Sequence, residues 1–162
     1  MLIGREKEIK TLQQAYHSEY SEFVAVYGRR RIGKTFLIRE AFNYQFAFQH
    51  TGVYKESFKK QLRNFRDALR MSGMKKAKIP TDWSDAFFQL AQFIKENKEE
   101  KKVIFIDEIP WLDTPRSGFL SALEYFWNSF ASARKDVLLI ICGSATSWII
   151  NKVLKNHGGL HN

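Results

Sequence analysis

The sequence predicts an α/β fold built on a parallel sheet, on three observations. Strand-like apolar runs alternate with stretches of helical apolar spacing along the whole chain. The runs "KVIFIDE" and "DVLLIICGS" are apolar almost without interruption, which suits strands covered on both faces. No internal repeat or low-complexity linker divides the chain, and 162 residues are enough for one domain with a core but too few for two ordinary ones.

The elements follow in order. "IGREKEIKTLQQAYHS" places Ile9, Leu12 and Tyr16 at helical spacing. "EFVAVYG" is a short β-prone run closed by glycine, hence a strand. "KTFLIREAF" reads as an amphipathic helix carrying Phe36, Leu37, Glu40 and Ala41, and "FAFQHTGVY" as a second strand. From Lys55 the pattern is helical, with Phe58, Leu62, Phe65 and Leu69 on one face and Lys55, Lys59, Arg63, Arg66 and Arg70 on another. "MKKAKIP" breaks it. "TDWSDAFFQLAQFIKEN" opens on capping residues and turns Trp83, Phe87, Leu90 and Ile94 to one side. After the strand "KVIFIDE", the run "FLSALEYFWNSFAS" is a helix with Phe119, Leu123, Phe126 and Phe130 in register. "DVLLIICGS" is the next strand, "SWIINKVLKN" a short last helix, and "HGGLHN" a loop.

Composition narrows the classes. A hydrophobic fraction of 44% with 27% charged residues is that of an ordinary globular chain, not a disordered one. No apolar run approaches the roughly 20 residues of a membrane span, and the charged N-terminus lacks the apolar stretch of a signal peptide. One cysteine, Cys142, cannot form an internal disulfide, which fits a cytoplasmic protein; its apolar setting marks it as a buried structural thiol. The net charge is +9, and the excess is local: from Lys55 to Lys78, nine cations face two acids. The face from Lys55 to Arg70 reads first as a solvated surface, with a docking surface for DNA or an acidic protein as the alternative.

The chemistry concentrates in "VYGRRRIGKTF". Gly28-Arg29-Arg30-Arg31-Ile32-Gly33-Lys34-Thr35 matches the spacing G-x-x-x-x-G-K-[ST]. The glycines let consecutive N–H groups curl around phosphate oxygens, and a helix opening at Lys34 adds its positive end. Lys34 would reach the β- and γ-phosphates and the Thr35 hydroxyl would ligate Mg²⁺. A strand before the loop and a helix after it are what this mechanism needs. The nucleotide-binding set is therefore Gly28 to Thr35 with the adjoining Phe36; whether the three arginines touch phosphate or are solvated stays open.

"VIFIDE" supplies the second half. Asp107 at the strand end would hold a water on Mg²⁺, and Glu108 would orient or deprotonate the water attacking the γ-phosphate. Ser144, at the end of "IICGS", could bond the γ-phosphate or that water, with Thr146 beside it, or cap the following helix. GTP is disfavoured: Asn97-Lys98 and Asn151-Lys152 lack the aspartate two positions on that guanine recognition uses. A small-molecule kinase is disfavoured too, because a water-activating glutamate would waste ATP.

"IGREKEI", "VYGRRRIGKT", "VIFIDEIPWL" and "ICGSATSWI" together resemble the prokaryotic (archaeal and bacterial) AAA-type P-loop ATPases related to the signalling STAND group. The resemblance spans nearly the whole chain. It implies an α/β/α sandwich with strand order 5-1-4-3-2, ATP with Mg²⁺ as ligand, Glu108 as catalytic glutamate and Ser144 as a sensor. It further implies that Gly4 and Arg5 lie near the adenine. Family members usually continue into a fifth strand, a helical lid and further domains. The expectation is therefore an ATPase core over residues 1–162, cut before the fifth strand, whose order is 1-4-3-2. Phe23–Tyr27 would then be an exposed edge inviting association with another chain, and hydrolysis by this chain alone would be slow. A nucleotide-dependent switch that docks nucleic acid or a protein partner is the alternative to a coupled ATPase.

Overall fold

The computed structural model describes residues 6–28, 33–144 and 160–161. In chain order the elements are α1 (Glu6–Tyr16), β1 (Glu22–Gly28), α2 (Lys34–Ala41), β2 (Phe48–Thr51), α3 (Phe58–Ser72), α4 (Trp83–Glu96), β3 (Lys102–Asp107), α5 (Phe119–Ser129), β4 (Val137–Ser144) and β5 (Leu160–His161). Two 3₁₀ turns, Ile109–Trp111 and Ala131–Ala133, flank α5.

Every strand pairing is parallel and the order is β2-β3-β4-β1-β5. The expected order 1-4-3-2 is thus observed. The apolar strands owe their composition to being covered twice. Phe23 and Ala25 of β1, Ile104 and Ile106 of β3, and Leu139 and Ile141 of β4 join the core beneath α3, α4 and α5. Their neighbours Val24, Val26, Val103, Phe105, Leu138 and Ile140 join the core beneath α1 and α2. Successive strand side chains point to opposite faces, so with both faces buried the middle of these strands is apolar, and in β3 the polar residues Lys102 and Asp107 stand at its two ends.

Three expectations are corrected. The fifth strand is present: Leu160 and His161 pair with Val26 and Tyr27, on the side of β1 away from β4. Two residues are too few to show alternation, and the preceding Gly158-Gly159 pair disguises them as loop. The second half of β1 is therefore paired on both sides, and the argument from an exposed edge falls with it. The basic helix starts at Phe58, not Lys55. Ser57 accepts a hydrogen bond from the Lys60 N–H as its N-cap, and Lys55 at φ 53° lies in the turn before it. Finally, β2 is four residues long, because the chain leaves the sheet at Gly52. The expected last helix, 147–156, lies outside the described residues.

Cys142 is buried as expected; burial and then the nearby Asp107 carboxylate push its thiol well above the ordinary range, so it is inert.

Candidate nucleotide site

The site forms where β1, β3 and β4 end side by side. Gly28 closes β1 opposite Ser144 at the end of β4, and Asp107 closes β3. Parallel strands bring all these C-terminal ends to one edge, the usual ligand edge of such a sheet. Ahead of α2 stands Gly33, whose φ of 74° is left-handed and suited to glycine. A Cβ there would meet nothing within 4 Å, so the residue serves the backbone turn and not a tight contact. Helix α2 then opens at Lys34 with no side chain capping it, and the Leu37 N–H bonds back to the Gly33 carbonyl. Its first N–H groups are of the kind that receive anions.

Across this opening, Thr35 Oγ1 donates to Asp107 Oδ2 at 2.6 Å. Asp107 is only 4% exposed, and its other oxygen accepts the Glu108 N–H at 2.8 Å. The carboxylate is thereby fixed in orientation. A hydroxyl and a carboxylate held together are hard oxygen donors, a donor set that fits Mg²⁺ and not a soft metal. Among the described residues no group of three or more His, Cys, Asp or Glu side chains is placed to hold a metal ion. The charges of Asp107, Lys34 and Glu108 all reach the Cys142 thiol on β4, so the three groups share one neighbourhood.

Glu108 adopts φ 54° and ψ 43°, left-handed and unusual for a glutamate. Its surroundings over-determine that conformation. The Trp111 N–H donates to the Glu108 carbonyl at 3.1 Å, closing the 3₁₀ turn. Ile109 and Leu112, which follow in that turn, are buried. The Gly52 N–H donates to the Asp107 carbonyl at 3.0 Å, and a Cβ on Gly52 would come within 2.5 Å of the Glu108 carbonyl oxygen. Here glycine is required by close approach. The result is a half-buried glutamate turned out of the strand beside Asp107.

The structure therefore brings together Gly33, Lys34, Thr35, Asp107 and Glu108, with the backbone ends Gly28 and Ser144. Phe36 sits in the first turn of α2, 42% exposed. Gly4, Arg5, Arg29, Arg30, Arg31, Ile32 and Thr146 lie outside the described residues.

Besides Gly52, sequence reasoning missed two residues. Gln61, 1% exposed on α3, accepts the Val53 N–H at 3.2 Å and donates to the Val53 carbonyl at 2.7 Å and the Trp111 carbonyl at 3.2 Å. It ties α3 to the turn that carries Glu108. The signal that could have found it is a polar residue three positions after Phe58 and four before Phe65, inside the apolar stripe. His50, near the C-terminal end of β2, is 6% exposed against the Phe48 and Phe65 rings, and its Nε2 has no hydrogen-bond partner among the described residues. Burial pushes its pKa down to about 4.

Comparison with known proteins bears on this arrangement. Residues 2–162 match the family model described as an ATPase domain predominantly from Archaea. An uncharacterized protein of Methanocaldococcus jannaschii is 30% identical over 161 residues, covering 99% of this chain and 34% of that protein. An uncharacterized ATP-binding protein of the same organism is 35% identical over 40 residues, 25% of this chain and 68% of that one. Among solved structures, the Walker-type ATPase PABY2304 of Pyrococcus abyssi superposes with a TM-score of 0.63 at 18% identity, over 93% of this chain and 47% of that one. The ORC2 protein of Aeropyrum pernix, in ADPNP and ADP complexes, gives 0.58 at 18% identity over 97% and 47%. Drosophila ORC bound to DNA gives 0.61 at 14% over 96% and 40%. These structures share the fold. The chain spans about a third of the length of the curated relative it matches end to end and less than half of each of the three structures.

Proposed function

The chain belongs to a family of ATPase domains found predominantly in Archaea, and from that premise we propose that it binds Mg-ATP at the ends of β1, β3 and β4 and hydrolyses it. The observation that carries this reading is the 2.6 Å contact between Thr35 and Asp107, residues 72 positions apart. Each is the type and position that a phosphate-loop site needs, and the fold delivers them to one another.

In this reading the 1–162 segment is the ATPase core. The loop from Gly28 to Thr35, with Lys34 at the head of α2, cradles the phosphates; Phe36, Gly4 and Arg5 complete the nucleotide contacts. Thr35 would ligate Mg²⁺ and Asp107 would hold a water on it, and the ion would supply charge neutralisation at the phosphates. Glu108 takes the proton of the attacking water, from a backbone position that Gly52 and Trp111 support. Ser144, at the end of β4, senses the γ-phosphate. Hydrolysis couples to a conformational change of the AAA/STAND kind, the finer form of the resemblance in the four motifs.

Glu108→Gln tests the assignment. Mg-dependent affinity for a fluorescent ATP analogue stays within a few-fold while phosphate release falls at least about tenfold, since general-base catalysis contributes typically 10²–10⁴-fold. Loss of binding together with undiminished turnover per bound nucleotide would mean that Glu108 holds the nucleotide and does not act on the water.

A further inference from the structure

We propose that the surface formed by Tyr54, Lys55, Lys59, Lys60 and Arg63 is a docking site for the phosphodiester backbone of nucleic acid. It goes beyond the nucleotide reading and stands on different residues.

A helix that starts at Phe58 changes which cations are available. Arg66 is ion-paired with Asp67 at 2.7 Å, and Arg70, still charged, is held by its Nε against the Ala77 carbonyl at 3.0 Å, toward the far end of the helix. Lys59, Lys60 and Arg63 remain, exposed on the first two turns of α3, with no carboxylate within salt-bridge distance among the described residues. Lys59 and Arg63 are four residues apart and Lys60 and Arg63 three, so they share one face. The neighbouring acid, Glu56, is turned to the Ser57 N–H. Like charges gathered without counter-ions repel one another, and a polyanion relieves that repulsion.

The turn before α3 adds what a phosphate backbone alone does not use. Tyr54 is 58% exposed, edge-on to Trp111 with ring centroids 4.4 Å apart. The Lys55 ammonium lies 5.2 Å from the Tyr54 ring centre. An immobilised, exposed ring among cations is a stacking platform for a base. Among the cations from Lys59 to Arg63 no large apolar side chain is exposed; the exposed Val53 and Tyr54 precede them in the turn, so the charged part of the surface has no apolar anchor of the kind on which protein interfaces centre. That favours nucleic acid over an acidic protein.

The surface is also placed to matter. Thr51 pairs with Asp107 at the same sheet edge, and the cations follow a few residues later. Gln61, between Lys60 and Leu62, bonds to the turn holding Glu108.

The test is fluorescence anisotropy of a short labelled DNA, single-stranded and as a duplex of arbitrary sequence, with the full chain and no nucleotide. Four phosphate contacts predict a slope of about −3 to −4 for log K against log salt, or roughly a hundredfold loss between about 50 and 200 mM. Lys59→Glu, Lys60→Glu and Arg63→Glu combined should abolish binding. The single substitutions Lys59→Gln and Arg63→Gln should each reduce the slope by about 1. Tyr54→Ala should weaken the single strand more than the duplex. Lys10→Glu, Lys98→Glu and Lys135→Glu combined, an equal charge change at exposed positions elsewhere, should leave the site-specific slope in place. Absence of binding at low salt, equal loss in that control, or displacement of the DNA by poly-glutamate at a lower charge concentration than by unlabelled DNA would each overturn the proposal. Circular dichroism confirms folding, and the single Gln variants keep the test valid should the triple variant misfold.

Discussion

At the residue scale, the site depends on groups that the fold makes expensive to replace. Lys34 heads α2 and its charge reaches the Asp107–Cys142 neighbourhood. On the proposed reading, Lys34→Ala would remove a charge-assisted phosphate contact worth about 1.5–3 kcal/mol, which is about ten- to a hundredfold in ATP affinity. Titration with a fluorescent ATP analogue reads this directly, and unchanged affinity would sink the phosphate-loop assignment. Gly52 is the less obvious case. Its missing side chain makes room for the Glu108 carbonyl, and the obstacle is backbone, which cannot swing aside as a long side chain does. Gly52→Ala should therefore destabilise by about 1–3 kcal/mol, as overpacking does, and also disturb turnover by displacing Glu108. A denaturant midpoint and a turnover rate both indistinguishable from the parent chain would show that the close approach is not required.

At the element scale, α3 does two jobs with two faces. Its apolar stripe of Leu62, Phe65 and Leu69 packs on the sheet. Gln61, beside that stripe, satisfies both polar groups of Val53 and the carbonyl of Trp111. Gln61→Leu keeps the size and the burial but removes a partner from all three groups, of which the Val53 carbonyl alone retains a second one among the described residues, the Glu56 N–H at 3.3 Å. The expected cost is about 1–3 kcal/mol in unfolding free energy, the range for unpaired buried polar groups. An apolar replacement that stabilises the chain would mean that water reaches Val53 and Trp111 and that the tie is dispensable. At the opposite end of the sheet, Lys102 and Arg134 both bond Asp136 at 2.8 Å. Burial opposes the Asp136 charge, but hydrogen bonds from these two cations outweigh it and hold its pKa down to about 2. That cluster is structural: it fixes the starts of β3 and β4, whose far ends carry the site.

At the scale of the whole molecule, the sequence was legible where pattern and mechanism overlap. Strands and helices alternate as their apolar spacing requires, and the fully apolar runs are the doubly buried strands β3 and β4. The spacing of the phosphate loop and the acids after "VIFI" named Thr35 and Asp107 separately; only the fold shows that they meet. The strand order came only through resemblance to known ATPases, because nothing local specifies which strand neighbours which. The two-residue β5 was illegible since it is too short to have a period, and Gly52 because the carbonyl it makes room for lies in a distant segment; Gln61 left a trace as a polar residue in the apolar stripe, but its Trp111 partner is 50 residues away. His50 was illegible for the same reason, yet it predicts a global property. It is neutral and buried in the fold, with a pKa of about 4 against about 6.5 when the chain is unfolded. Between those values the unfolded chain binds a proton that the folded chain does not, so stability falls as pH drops from about 6.5 to about 4 and this contribution levels off below. The difference is about 3 kcal/mol for one group. Carboxylates add their own acid sensitivity, so the diagnostic is a comparison: His50→Phe, which suits the neighbouring Phe48 and Phe65 rings, should flatten the stability profile in that window alone. Urea unfolding of both chains between about pH 4 and 7 measures it. Parallel profiles would mean that His50 is hydrated or protonated in the fold, and that the pH sensitivity of this sheet resides elsewhere.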